Sequence, residues 1–231
     1  MRKGDERRSR ILETAEKLFY QKGYEETSIQ DILDELKMSK GGFYHHFESK
    51  LQLLEALCQM QMAENSRRMA EAVQNAQGDA VAQINALYEY CTLWQRGQTS
   101  FTAMVLRTAY KGGSVQLRDT LKQCMLAGAR PLIREIVHAG IEQNQFFTRY
   151  PDDIGELLLQ LFANLNDEIA MELAVKEHSS SMAMILSRLR AYRHAAEMLL
   201  GAPYGSMVLC DLSVFPVLVE ELMREKRRLG I

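Results

Sequence analysis

Apolar residues recur every three to four positions along almost the whole chain, and no segment alternates with a period of two. A chain with that pattern can bury its apolar faces only by packing helix on helix, so the expected fold class is all-α. Ile11, Leu12, Ala15, Leu18 and Phe19 make the first stripe, which Gly23 stops. A second short helix carries Ile29, Ile32, Leu33 and Leu36, with Thr27 and Gln30 at capping-box spacing. Ser39 opens a third, very short helix that ends near Phe47, and Ser49 with Gln52 opens a long fourth one reaching to about Gly78. Helical stripes continue to the end of the chain, about nine or ten helices in all. Pro131 is expected to kink or break the segment that contains it. From Pro151 the stripe is Ile154, Leu157, Leu158, Leu161, Phe162, Leu165, Ile169 and Leu173.

The 231 residues suit one large or two small domains. With 47% hydrophobic and 25% charged residues the chain is globular, not disordered. A net charge of −2 excludes a broadly polybasic protein, but not a nucleic-acid binder with one small positive face. The first ten residues lack an apolar core that could act as a secretory signal, and no stretch approaches the roughly 18 apolar residues of a membrane span. Cys58, Cys91, Cys124 and Cys210 are dispersed, which fits free thiols in a reducing cytoplasm. No metal-ligand spacing, phosphate-binding loop or nucleophile motif is present, so the expectation is no cofactor, no metal, no catalytic residue and no enzyme.

The informative stretch is residues 27–50, TSIQDILDELKMSKGGFYHHFESK. Two short helices joined by a turn of three or four residues have the layout of a helix-turn-helix, whose second helix enters the DNA major groove. Lys40, Tyr44, His45 and Lys50 can donate to phosphate or base edges, and Ser39 is placed as an N-cap. Gly41 and Gly42 each cost about 1 kcal/mol in a helix relative to Ala. Close approach of a partner to bare backbone would explain them, and so would helix–helix contact.

Residues 7–54 resemble the DNA-binding domain of the TetR family of transcriptional repressors. The resemblance is carried by Ile11-Leu12-x-x-Ala15-x-x-Leu18-Phe19, by Gly23-Tyr24-x-x-Thr27-Ser28-Ile29-x-x-Ile32, and by Ser39-Lys40-Gly41-Gly42-Phe43-Tyr44-His45-His46-Phe47-x-Ser49-Lys50-x-x-Leu53-Leu54. It implies a DNA-binding domain over 1–50 and a helical ligand-binding and dimerisation domain over 51–231. By position, Thr27 and Ser28 would touch phosphate, and Ser39, Lys40, Gly41 and Gly42 would open the recognition helix. Tyr44 would hold phosphate, His45 would reach base edges or phosphate, and Lys50 would pair with the DNA backbone. Phe43 and Phe47 belong to the small core. Two positions depart from the family's pattern. Lys37 stands where a turn glycine is common, and Gly42 where many members carry a base-reading side chain. Residues 1–50 hold ten basic and ten acidic residues, so affinity should rest on dimeric geometry and a few phosphate contacts.

The resemblance further implies a homodimer on a pseudo-palindromic double-stranded operator, with its seam in the helices at 152–176 and 182–200. It also implies a small-molecule effector between the middle helices. The candidate lining is Tyr88, Trp94, Met104, Arg107, Tyr110 and Phe162, each of which reads first as core. Glu168 lies on an apolar stripe and needs a partner: an arginine, the dimer seam or a cationic ligand. The competing class is a helical protein-binding adaptor without DNA binding.

Overall fold

The computed structural model describes residues 3–76, 78–92, 99–175, 181–209 and 212–228; Trp94 and Cys210, singled out above, lie outside them. Among the described residues every regular element is helical: α1 (Lys3–Lys22), α2 (Ile29–Leu36), α3 (Lys40–Tyr44), α4 (Lys50–Asn75), α5 (Ala80–Tyr90), α6 (Thr99–Leu106), a π-helical turn (Arg107–Lys111), α7 (Val115–Glu142), α8 (Pro151–Val175), α9 (Ser181–Leu200) and α10 (Val214–Arg228). The all-α expectation holds. The chain divides into two compact units, Met1–Gln61 and Met62–Ile231, and the division falls inside α4.

In the smaller unit, α1 stops where Gly23 adopts φ 97° and its N–H returns to the Phe19 carbonyl at 2.9 Å. The start of α2 corrects the expected cap by one residue. Ser28 is the N-cap, accepting from the Asp31 N–H at 3.1 Å, while Asp31 accepts from the Ser28 N–H at 2.8 Å. Thr27 is instead fully buried, and its hydroxyl donates to the Gly23 carbonyl at 2.7 Å, with the Leu18 carbonyl at 3.3 Å. It ties the end of α1 to the start of α2.

Lys37 closes α2 in the left-handed region, φ 51° and ψ 45°. Its N–H reaches Asp34 and that of Met38 reaches Leu33, the pattern a glycine usually supplies. The turn geometry is therefore kept without the glycine, at a cost of about 1–2 kcal/mol. Phe43 and Phe47 are buried, as are Ile11, Leu12, Ala15, Phe19, Ile32 and Leu54 of the same unit. Ser49 then caps α4 through the Gln52 N–H at 3.1 Å, and the Gln52 side chain accepts from the Glu48 N–H at 2.6 Å.

In the larger unit α7 packs on α5 and α8, α8 on α9 and the π turn, and α6 on α10. Tyr88 and Phe162 meet edge to face in its core. Pro131 does not break α7, so of the expected kink or break the break does not occur. Pro131 and Ala127, whose carbonyl loses its N–H partner, are both exposed, so water can satisfy the freed oxygen. Leu157 is also not core: it is 53% exposed on α8. Where α7 ends, the Phe146 ring lies so close to Gly140 that no Cβ fits there.

Thr27→Val is expected to lower stability to urea by about 1–3 kcal/mol, since the Leu18 and Gly23 carbonyls lose their buried donor. DNA affinity of the folded variant should be unchanged. A variant of normal stability with weakened DNA binding would return Thr27 to the phosphate role.

Candidate nucleic-acid interface

The third helix is shorter than the expected run to Phe47, with five residues, because His45 and His46 turn out of it while the Phe47 N–H still reaches the Phe43 carbonyl at 3.1 Å. Ser39 caps it, accepting from the Gly42 N–H at 3.2 Å. With Phe43 buried, the outward surface consists of Ser39, Lys40, Gly41, Tyr44 and His45; Tyr44 is 51% exposed. A side chain at Gly41 would meet nothing, and one at Gly42 would meet only Met38 and Ser39 of its own turn. Helix–helix contact therefore does not explain the glycine pair. The bare backbone faces outward.

Three cations unassigned by the sequence reading complete this surface. Arg7 and Arg10, one turn apart on α1, and Lys37 line a cleft of about 310 Å³ together with Leu36, Met38, Ser39 and Gly42. None of the three is in an ion pair among the described residues. Two of the three acids of α2 are paired elsewhere, Glu35 with Lys17 at 2.8 Å and Asp31 with Lys22 at 2.6 Å, while Asp34 accepts from the Gln30 amide at 2.7 Å. Hydrogen bonds from these lysines hold both carboxyls below the usual carboxylate range. These exposed pairs add little stability, but they sort the charges of an overall neutral unit. The signal was present in sequence as the basic residues near the N-terminus. What it lacked was the fold that brings positions 7, 10 and 37 together.

Two expected phosphate contacts are already engaged within the protein. The Ser28 hydroxyl donates to Asp31 at 2.6 Å inside the capping box. The Lys50 ammonium donates to the carbonyls of Tyr24 at 2.7 Å and Glu25 at 3.1 Å, and lies 4.4 Å from the centre of the Tyr24 ring. Its partial burial lowers its pKa, while burial, then Glu25 and Glu55, push the Tyr24 phenol up to about 12. Lys50 thus pins the 23–28 segment to the start of α4 and keeps one N–H to offer outward.

The larger unit contains a cleft of about 260 Å³ between the end of α5, the π turn, the start of α7 and the middle of α8. Of the effector candidates among the described residues, only Tyr110 lines it. Tyr88, Met104 and Phe162 are buried core, and Arg107 is half-buried away from it. Glu168 finds its partner within the chain: Arg188 pairs with one carboxylate oxygen and the Tyr192 hydroxyl donates to the other at 2.9 Å. The cleft is lined instead by residues that periodicity assigns to polar faces, among them Arg118, Asp119, Lys122, Asn164 and Asp167, with Met62 of α4 and Met125 of α7. Burial and the neighbouring Asp167 carboxylate, to which its hydroxyl donates, raise the pKa of Tyr110.

Comparison with known proteins agrees with this architecture. The family model for bacterial regulatory proteins of the tetR family matches residues 11–57, which take in the whole helix-turn-helix. The HTH-type transcriptional regulator YuxN of Bacillus subtilis is 34% identical over 122 residues, covering 52% of this chain and 39% of YuxN, so the chain spans well under two thirds of that relative. A second regulator of that bacterium, YfiR, is 30% identical over 169 residues, 71% of this chain and 78% of YfiR. The crystal structure of a TetR-family regulator from Pectobacterium atrosepticum shares the fold with a TM-score of 0.58 at 23% identity, over 88% of this chain and 99% of that one. With the helix-turn-helix matched by the family model and most of YfiR aligned along the larger unit as well, the chain belongs to the TetR family of bacterial transcriptional regulators.

Proposed function

We propose that the protein is a cytoplasmic, dimeric repressor that binds a pseudo-palindromic operator and is released by a small-molecule effector, with no enzymatic activity of its own. The observation that carries the DNA-binding part is the outward surface of α3 beside the unpaired Arg7, Arg10 and Lys37. Cations without acidic partners suit phosphate, and the bare Gly41 backbone lets the duplex come close. Lys40 and His45 reach base edges, and Tyr44 holds phosphate. A protein-binding adaptor has no use for such a surface. The smaller unit supplies this contact; the larger one supplies effector binding and dimerisation. No described helix is long and apolar enough to cross a membrane.

A single short recognition helix reads too few base pairs to select an operator, so two copies are needed. The seam is assigned to α8 and α9. On α8, Leu157, Leu161, Asn164, Glu168 and Met171 follow a seven-residue pattern, and Leu157 and Met171 are exposed. On α9, Met184, Arg188, Ala191, Ala195 and Met198 repeat that spacing, with Met198 69% exposed. Two such helices from each copy make a four-helix bundle. The effector site is assigned to the cleft. Met62 in its wall and Lys50 belong to one continuous helix, α4, so displacement of that wall is carried along α4 toward the DNA-contacting end. Reciprocity requires operator DNA to weaken effector binding by the same factor.

Replacing Arg7 and Arg10 together by Gln should weaken binding to all duplex sequences alike and lower the salt slope by about 2 per half-site. Unchanged salt dependence would remove both from the interface. Lys37→Gly should raise stability by about 0.5–1 kcal/mol, because relief of the left-handed strain exceeds the entropy gained by the unfolded chain. The same change should weaken DNA binding through the lost charge. Leu157→Glu with Met198→Glu should give a folded monomer by light scattering at micromolar concentration; a persistent dimer would place the seam elsewhere.

A further inference from the structure

We propose that the cleft of the larger unit takes a small aromatic carboxylate, gripped by the Arg118 guanidinium and the Lys122 ammonium against the Tyr110 ring. The inference rests on the reading of this cleft as the effector site.

The first argument is charge. Arg118 and Lys122 stand four residues apart on α7 and share a face; both line the cleft and neither is in an ion pair among the described residues. The Arg118 Nε is buried without a hydrogen-bond partner. A charged donor in that state demands an acceptor, and a carboxylate matches the guanidinium fork. The two acids of the lining do not meet the demand. Asp167 takes the Tyr110 hydroxyl, and Asp119 is exposed. The first turn of α7 also presents Val115 to the cleft, and the positive end of that helix favours an anion.

The second argument is shape. The Arg118 guanidinium lies 5.5 Å from the centre of the Tyr110 ring, so a flat group can slide in beside a preformed stack. Tyr90 and the thioethers of Met62 and Met125 complete walls suited to an aromatic body. Tyr110 sits on the π-helical turn Arg107–Lys111, a rare conformation that recurs at functional sites. The cavity of about 260 Å³ lies below the roughly 300–1,000 Å³ of drug-sized pockets, which limits the ligand to one or two rings.

Three probes of one shape test the class by calorimetry on the intact protein: 2-naphthoate, 2-naphthamide and 2-naphthylmethylammonium. The acid should bind at least about tenfold more tightly than either of the others. Arg118→Met and Lys122→Met should each reduce the acid to the level of the amide and leave amide binding unchanged. Lys122→Met carries the test alone if melting curves show that Arg118→Met does not fold. Equal or tighter binding of the amide or ammonium, an acid affinity that survives both substitutions, or no binding of the acid overturns the proposal. A thermal-shift screen of compounds of mixed charge separates it from the reading beneath it, using Val115→Trp at the exposed rim. Neutral or cationic hits abolished by Val115→Trp keep the cleft and overturn the acid. Hits unaffected by it overturn the cleft as effector site.

Discussion

Lys40–Tyr44 makes fewer than two turns of helix, and nucleation is too costly for so short a segment to hold its shape in water. Its conformation is imposed from behind. Phe43, with no exposed surface, and Phe47 are driven into the core formed by Ile11, Leu12, Ala15 and Ile32. Fully burying a ring of this kind is worth about 1.5–3 kcal/mol, which exceeds the cost of either glycine beside it. The buried pair fixes the direction in which Lys40, Tyr44 and His45 point. Thr27, Lys37 and Lys50 then serve the same end. Thr27 joins α1 to α2, Lys37 turns the chain from α2 to α3, and Lys50 ties α4 to the segment after α1. Thr27 and Lys50, which the sequence offers as DNA contacts, thus also hold the frame on which the α3 surface stands.

Charge follows from the same frame. Residues 1–50, with as many acids as bases, have no positive field to speak of, yet pairing Lys17 with Glu35 and Lys22 with Asp31 removes two acids from account and leaves Arg7, Arg10 and Lys37 unmatched beside α3. A small, unmatched cluster gives attraction to phosphate at one place only. In the proposed dimer, binding would depend on two correctly spaced heads and little on general affinity for polyanions.

The sequence carried the fold class because helix packing needs only apolar periodicity, and it carried α3 because the Ser-Lys-Gly-Gly-Phe-Tyr run and the buried phenylalanines are local. Choices between neighbours were not local. Thr27 and Ser28 are both hydroxyl residues ahead of a helix, and only the position of α1 decides which is buried. Pro131 falls on the solvent side of α7, which periodicity alone does not weigh against its missing N–H. The lining of the cleft was least legible. Tyr88, Phe162 and Met104 on helical stripes are core, whereas the cleft mixes Tyr110, Met62 and Met125 with charged and amide residues that periodicity assigns to solvent. Glu168 was rightly in need of a partner, but Arg188 and Tyr192 are 20 and 24 residues away on another helix.

The central claim is that paired copies of the α3 surface read duplex DNA. Selection of bound duplexes from a randomised pool by the intact protein, followed by sequencing, tests it most directly. The account predicts enrichment of an inverted repeat whose half-site centres lie one helical turn of DNA, or a multiple of it, apart, about 34–36 Å per turn. A pool that stays random, or that converges on a single site without symmetry, would contradict it.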